Sequence, residues 1–465
     1  MMPWLVRNLL LPLHERLRGR DTLREAALLG RLEASPGLLG RIRHAKLMRL
    51  LLHCRHRVPF YRDRLGAPSA AELRALASEE PGRAVQADLS SRSEGLQHGL
   101  EAFPSLERED IRRDPDALLA EGFTGRLMAS TTGGSSGRPL QFWTDACKEV
   151  RHNAQKLRFR QWFGVRAGDR QVDFWGSPIE LGKSSHVRRL KDRYLLNQAL
   201  CSAHDLTPQR LEDYARLLGR FRPHLIYGYP TVIGRVARLL AADPDRFGGW
   251  RPQAVICTSE MLFPEVRAAI QAGLHAPVGN EYGSRDAGLT AHECPHGRLH
   301  IAAEHVWVEV DPATRDDDGV GDLLITNLDG WGMPFVRYRV GDRGRLSDER
   351  CPCGSPLPVL DRLEGRRNDF LVGGGGRRVH GSAANYVLRQ RPEVAQYRLV
   401  QRPDLSLDVQ VVVDDGWGEA VERSVAIGLR QALGLEAEVR VERVEVIPAS
   451  PSGKYRWVES EALPS

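Results

Sequence analysis

Between residues 170 and 275, short apolar runs alternate with amphipathic stretches, and this alternation restricts the possible folds more than any other feature of the chain. Leu225 to Tyr227 and Ala254 to Cys257 read as strands. Around them apolar residues recur at helical spacing, first at Leu211, Tyr214, Leu217 and Leu218, then at Val232, Ile233, Val236, Leu239 and Leu240, then over 264–273. Thr207-Pro208 marks a helix start, because the threonine hydroxyl can accept from a free amide while proline is pre-set for the first helical position. Strand alternating with helix predicts a largely parallel α/β sheet. Further strand-like segments follow at 305–310 and 322–327.

Before this region, residues 1 to about 120 read mostly as helix, with Leu39, Ile42, Leu47, Leu50, Leu51 and Cys54 at helical spacings and a stop at Pro59. A polar stretch from about 76 to 100 reads as a loop. Beyond Gly365, the run Gly373 to Gly376 reads as a flexible joint and the last 90 or so residues as a small α+β unit. The expected organisation is a helical part over 1–120, an α/β core over 121–365 and a small mobile α+β domain over 366–465.

Composition narrows the class. With 465 residues, 42% hydrophobic and 27% charged, the chain is globular and too long for a single small module. No stretch approaches the roughly 18 uninterrupted apolar residues that span a bilayer. The run Leu9-Leu10-Leu11 is flanked by Arg7, Pro12, His14 and Glu15 and lacks the pattern of a signal peptide, so a cytoplasmic protein without a membrane span is expected. The formal charge of +6 comes from 60 Arg and 6 Lys with the acids spread as widely, which reads as arginine-rich composition and not as a nucleic-acid stripe. Of seven cysteines, Cys54, Cys147, Cys201 and Cys257 stand singly, as free thiols do in a reducing compartment.

The sharpest motif is Ser130-Thr-Thr-Gly-Gly-Ser-Ser-Gly-Arg-Pro139. Glycines let backbone N–H groups turn toward an anion and hydroxyls add donors, which suits phosphate oxygens, although a surface Gly/Ser linker has the same composition. It is not a Walker loop, because no Gly-Lys-Ser/Thr follows. Three later segments accompany it: Tyr282-Gly-Ser-Arg-Asp286, Arg337-Tyr-Arg-Val-Gly-Asp342 with Glu364-Gly-Arg-Arg-Asn-Asp369, and Pro451-Ser-Gly-Lys454.

In this order the motifs resemble the adenylate-forming superfamily, specifically its branch of phenylacetate-CoA ligases and CapK-like proteins. The likeness extends through Arg222 to Pro230 and Thr258-Ser259-Glu260 and covers most of the chain. It implies a large adenylate-forming domain of mixed and parallel sheets with helices, plus a mobile α+β lid. It implies that Thr132, Gly133, Gly134, Ser135, Ser136 and Gly137 hold the ATP phosphates, with Ser259 and Glu260 in the same nucleotide site. Tyr282, within Tyr282-Gly283-Ser284-Arg285-Asp286, would pack on adenine; Asp286 would hold magnesium; Asp342 and Arg366 would hydrogen-bond the ribose; Lys454 would be catalytic.

The lysine's chemistry follows from charge. Acyl-adenylate formation brings a carboxylate against the α-phosphate, and a compact ammonium between them offsets the repulsion. Lys454 is one of only six lysines and the only one after Lys191. Two positions depart from the family pattern. Arg285-Asp286 stands where relatives carry a hydroxyl residue followed by Glu, which leaves a magnesium ligand one methylene short, and Asn368 stands where relatives carry Asp or Lys.

The remaining cysteines form Cys294-x5-His300 followed by Cys351-Pro-Cys353-Gly354. Three thiolates and an imidazole complete a tetrahedral structural zinc site, with no position left for water. His292, His296 and His305 lie close by as alternatives; His300 is chosen because it matches the branch. For the acid, Asp173-Phe-Trp-Gly-Ser177 and Tyr227-Gly-Tyr229 place Trp175 and Tyr229 where the family has its acyl pocket, and aromatic walls suit an aryl acid as well as an ordinary core. Lys183 and His186 are further polar candidates there. The expected function is ATP- and magnesium-dependent activation of a carboxylic acid as an acyl-adenylate, then transfer to coenzyme A. The alternatives are transfer to an amine of a sugar or metabolite, and a catalytically silent nucleotide-binding protein of the same fold.

Overall fold

The computed structural model describes residues 2–65, 99–132, 140–175, 192–193, 196–203, 206–243, 250–366, 370–381, 384, 387–388, 391, 393–413, 416–448 and 457–462. Two compact units divide the chain, one formed by Met1–Thr132, Pro139–Val340 and Gly344–Leu363, the other containing Gly341–Arg343 and Glu364–Ser465.

In the first unit the N-terminal part is helical, as its spacing predicts. Helix Pro36–Arg57 buries Leu39, Leu47, Leu50, Leu51 and Cys54, and it ends where Pro59 opens the next helix, Pro59–Leu65. The polar 76–100 stretch lies almost wholly outside the described residues. Strands β1 (Leu127–Thr131) and β2 (Gln141–Asp145) then form an antiparallel hairpin, with Leu127 opposite Asp145 and Thr131 opposite Gln141.

The α/β alternation builds half of an eleven-stranded sheet. Strands β3 (Gln171–Phe174), β4 (Gln198–Cys201), β5 (Leu225–Gly228), β6 (Ala254–Thr258) and β7 (Val278–Ser284) run parallel in the order β7-β6-β5-β3-β4. Helices Pro208–Phe221, Pro230–Ala242 and Pro264–Leu274 lie between them in sequence, each with proline in its first turn. Thr207 caps the first by accepting from Arg210 N–H, as its sequence signals. Residues Arg222 and His275 end two of these helices in the left-handed conformation.

Beyond β7 the sheet is not parallel. The chain turns back directly into β8 (Gly288–Glu293), so no helical crossover intervenes, and β8 pairs antiparallel with β7 and with β9 (Leu299–Ile301). Strands β10 (Val306–Val310), β11 (Gly321–Asn327), β12 (Tyr338–Ser347) and β13 (Val359–Arg366) complete the order β10-β11-β12-β13-β9-β8-β7. A continuous core joins this sheet to the N-terminal helices through Leu39, Leu47, Leu50, Phe142, Phe159, Phe335 and Tyr338.

The second unit is α+β. Strands β14 (Phe370–Val372) and β15 (Arg378–His380) form a hairpin, and β16 (Val394–Gln401), β17 (Leu407–Val413), β18 (Val439–Arg443) and β19 (Val458–Ser460) form a sheet in the order β18-β17-β16-β19. Helix Glu419–Leu433 buries Val425, Leu429 and Leu433 in one core with Leu399, Val409 and Val411. The Gly373 to Gly376 run, expected as a joint, is instead the turn between β14 and β15 inside this unit. Its glycines are needed for shape: Gly375 has φ +68°, and a Cβ on Gly374 would lie 2.0 Å from the Gly434 carbonyl.

Candidate functional site

The parallel strands present their carboxyl ends in one row, where open α/β sheets bind ligands. Phe174 pairs with Gly228, Gly228 with Cys257, and Thr258 with Glu281, so the residues that follow, Trp175, Tyr229, Ser259-Glu260 and Tyr282, emerge side by side. Trp175 lies 5.0 Å from the Tyr229 ring and stacks on Tyr227 at 5.9 Å and 18°. Tyr229 is buried and Trp175 half-buried, so the tyrosine backs the site while the indole is the ring with an open edge. Gly228 is compulsory, because at φ +144° a Cβ would sit 2.1 Å from the Phe174 carbonyl. Ser259 turns the chain out of β6 with φ +69°, an uncommon conformation for a residue with a side chain. Glu260 reaches back to helix Pro230–Ala242, accepting from the Thr231 hydroxyl at 2.6 Å.

Next to this row stands the base of the Gly-hydroxyl loop. Thr132 N–H donates to the Leu140 carbonyl at 2.9 Å and Leu140 N–H to the Thr132 hydroxyl at 3.0 Å, so β1 and β2 hold both ends of the loop together. Arg285 donates to the Thr131 carbonyl at 3.2 Å, which ties the Tyr282–Asp286 motif to that base. Gly133, Gly134, Ser135, Ser136 and Gly137 lie outside the described residues, as do Lys454, Lys183 and His186.

Asp286, which the resemblance assigns to magnesium, is held by a set of protein partners. It is 1% exposed, and its carboxylate accepts the Tyr338 hydroxyl at 2.7 Å and Ala287 N–H at 3.1 Å, with Arg108 at 3.7 Å. Burial pushes its pKa upward, but Arg108, Ser284 and Tyr338 together hold it below the usual carboxylate value. Lys148 donates to the Asp286 carbonyl at 2.6 Å, and burial lowers this ammonium to about 8. The carboxylate is thus engaged by the protein in this arrangement. The short aspartate side chain is drawn inward onto Tyr338, which belongs to the Arg337–Asp342 motif. Asp342 itself sits half-buried on β12, and Arg366 ends β13.

Beneath the aromatic pair runs a buried chain that sequence reasoning missed. Lys156 donates to the Tyr227 hydroxyl at 2.9 Å, and that hydroxyl donates to Glu281 at 2.7 Å, one residue before Tyr282. Burial lowers the Lys156 pKa and raises those of Tyr227 and Asp173. For Glu281 burial acts upward, yet Lys156, His292 and Arg160 hold it below its ordinary value. Lys156, Arg160, Asp173 and Tyr227 also line a cavity of about 290 Å³ that extends to Glu15 and Arg20. Only the position of Glu281 beside the Tyr-Gly motif could have signalled this chain from sequence.

Away from the row, four metal-type donors converge. The ligand atoms of Cys294, His300, Cys351 and Cys353 lie within 4.8 Å of one another. Cys294 and Cys351 sulfurs are 3.7 Å apart, and Cys353 Sγ is 3.3 Å from His300 Nε2. His300 Nδ1 lies 3.1 Å from the Leu357 carbonyl, which fixes the ring with Nε2 toward the thiols, and burial lowers its pKa so that it stays neutral. Three thiols and one neutral imidazole in this arrangement fit a tetrahedral soft-metal site. The other histidines are settled elsewhere: His292 stacks on Phe159 and bonds the Glu293 carbonyl, His305 bonds Asp329, and His296 is exposed.

No family model matches the chain. Among curated proteins it is 26% identical to Protein CapK of Staphylococcus aureus over 375 residues, covering 77% of this chain and 79% of that one. It is 29% identical over 281 residues to a phenylacetate-coenzyme A ligase of Thermus thermophilus, covering 53% and 62%, and 22% identical to that of Pseudomonas putida, covering 79% and 85%. Among solved structures, 2-hydroxyisobutyryl-CoA ligase in the postadenylation state superposes with a TM-score of 0.64 at 17% identity, over 90% of this chain and 89% of that one.

Proposed function

We propose, from the premise that the chain belongs to the adenylate-forming superfamily and to its branch of phenylacetate-CoA ligases and CapK-like proteins, that it is an AMP-forming ligase which activates a carboxylic acid and hands the acyl group to coenzyme A. The observation that supports this most is the single row formed by Trp175, Tyr229, Ser259-Glu260 and Tyr282, with Arg285 fastening that row to the base of the Gly-hydroxyl loop.

In this reading, residues 132–137 grip the ATP phosphates through backbone N–H and hydroxyl donors, Tyr282 packs on adenine, and Asp342 and Arg366 hold the ribose. The acid lies against Trp175, with Tyr229 behind the indole, and an aryl group suits that wall. Its carboxylate oxygen attacks the α-phosphorus, forming the acyl–phosphate bond as the bond to pyrophosphate breaks. Lys454 offsets the negative charge that accumulates between the two oxyanions. A thiolate of coenzyme A then attacks the acyl carbon, and AMP leaves with the electrons of the broken C–O bond. Magnesium would shield the phosphates, with the Asp286 carboxylate, engaged here by Tyr338 and Arg108, as the residue offered to it. The four-donor cluster holds a structural zinc ion that fixes the loop after β8 to the loop after β12.

The acceptor has a second reading. The CapK relative is matched over 77% of this chain and the Pseudomonas ligase over 79%, so an amine acceptor stands beside the thiol. AMP release from ATP and a panel of aryl acids separates the two. Stimulation by coenzyme A supports the thioester reaction, stimulation by amines in its absence supports amide formation, and failure of every acid to release AMP removes both.

A further inference from the structure

Exposed apolar surface is concentrated at the N-terminus. Of the ten large hydrophobic side chains most open to solvent among the described residues, seven fall before residue 40: Met2, Trp4, Leu9, Leu13, Leu17, Leu28 and Leu38. The first five, on and just before the helical segment 3–17, are each more than half exposed. Leu9, Leu13 and Leu17 recur every fourth residue and therefore form one stripe. The start of the same segment is fastened to the protein. Val6 is fully buried, and Arg7 donates to the Ala167 carbonyl at 2.9 Å and pairs with Asp169 at 2.7 Å. The stripe is consequently held outward by the fold.

Charge is concentrated in the same place. Residues 1–64 contain fourteen Lys or Arg against five Asp or Glu, which leaves 52 against 55 for all the rest. The chain's +6 thus arises in these helices alone, contrary to the even spread that composition suggested. Arg16 and Arg18, on either side of Leu17 in sequence, are exposed, as are Arg24 and Arg31 on the next helix.

We propose that this surface docks on an anionic lipid bilayer, with Leu9, Leu13 and Leu17 entering the interface and the neighbouring arginines meeting lipid phosphates. The combination decides the occupant. A helix that exposes a leucine stripe with arginine beside it is the form that lies in a membrane interface. A nucleic acid would use the arginines but has nothing to offer the leucines, and the core of a protein interface is depleted of charge. The helix rests on the surface and does not span, in keeping with the absence, among the described residues, of any helix long and apolar enough to cross a membrane.

The test is co-sedimentation of the full chain with phosphatidylcholine vesicles, with and without about one third phosphatidylglycerol. The proposal expects binding at least about tenfold stronger to the anionic vesicles, weakened by raised salt. It expects loss of binding in a Leu9→Glu/Leu13→Glu/Leu17→Glu variant, and weakening in an Arg16→Glu/Arg18→Glu variant, each with an unchanged circular dichroism spectrum. Equal binding to both vesicle types, no binding, or a concentration-dependent dimer that the leucine variant dissociates without any vesicle binding would each overturn it. No substrate enters the assay, so its outcome is independent of the ligase reading.

Discussion

The Tyr338 hydroxyl donates a 2.7 Å hydrogen bond to the Asp286 carboxylate, joining two motifs 52 residues apart in sequence inside the core. Tyr282-Gly-Ser-Arg-Asp286 and Arg337-Tyr-Arg-Val-Gly-Asp342 are held to each other by a charge-assisted bond between residues that are both essentially buried.

Removing the donor leaves a buried anion short of a partner. Tyr338→Phe is expected to lower stability by about 1–3 kcal/mol, read from denaturant unfolding. Asp286→Asn separates the clamp from a magnesium role. A loss of stability with an unchanged magnesium dependence of adenylation supports the clamp, whereas an intact fold needing at least about tenfold more magnesium would return Asp286 to the metal.

The zinc proposal is checked by metal content. Freshly purified protein should carry one equivalent, and Cys351→Ser should lose it together with thermal stability, because a closed site contributes directly to folding. Metal-free protein with titratable thiols at Cys294, Cys351 and Cys353 would contradict it.

Acid sensitivity should concentrate at Asp329. It is buried between Lys46, at 2.5 Å, His305, at 2.6 Å, and Arg151; burial acts upward on its pKa, but these partners hold it well below the ordinary carboxylate range. A depressed folded pKa contributes stability above the unfolded value near 4, and that contribution is lost as pH falls toward the folded value. The stability difference between the wild type and Asp329→Asn should therefore shrink steadily from about pH 5 downward. A difference that stays constant over that range would contradict the assignment.

Much of this was legible in the sequence, for identifiable reasons. Thr207-Pro208 announces a helix because capping is local chemistry, and Cys294-x5-His300 with Cys351-Pro-Cys353 names a donor set because sulfur ligands are few. In the sequence His300 stands out from three neighbouring histidines by resemblance alone; the physical reason is in the fold, where β9 brings its ring against Cys353. The Lys156–Tyr227–Glu281 chain was invisible because its members are 71 and 54 residues apart and meet only when the strands align. Gly373 to Gly376 misled for a different reason: freedom of φ serves a tight turn as well as a joint, and composition does not distinguish them. The charge surplus misled because a whole-chain total conceals where the charge lies.

Beneath Trp175, Tyr227→Phe should remove the hydroxyl that bonds both Lys156 and Glu281, leaving only their direct ion pair at 3.8 Å. The variant is expected to lose about 0.5–1.5 kcal/mol of stability and to bind aryl acids more weakly, since the lost hydroxyl bonds anchor the ring on which Trp175 stacks. Unchanged acid affinity across the panel would remove this chain from the acid site.

The central claim is that this protein adenylates a carboxylic acid and that Lys454 offsets the charge as it does so. Acid-dependent exchange of labelled pyrophosphate into ATP measures that step alone, without any acceptor. The wild type should support exchange with at least one aryl acid, and Lys454→Ala should reduce the rate by about 10²- to 10³-fold while ATP affinity stays within a few-fold. Exchange that proceeds at the same rate in both proteins, or that no acid elicits from the wild type, would contradict the account.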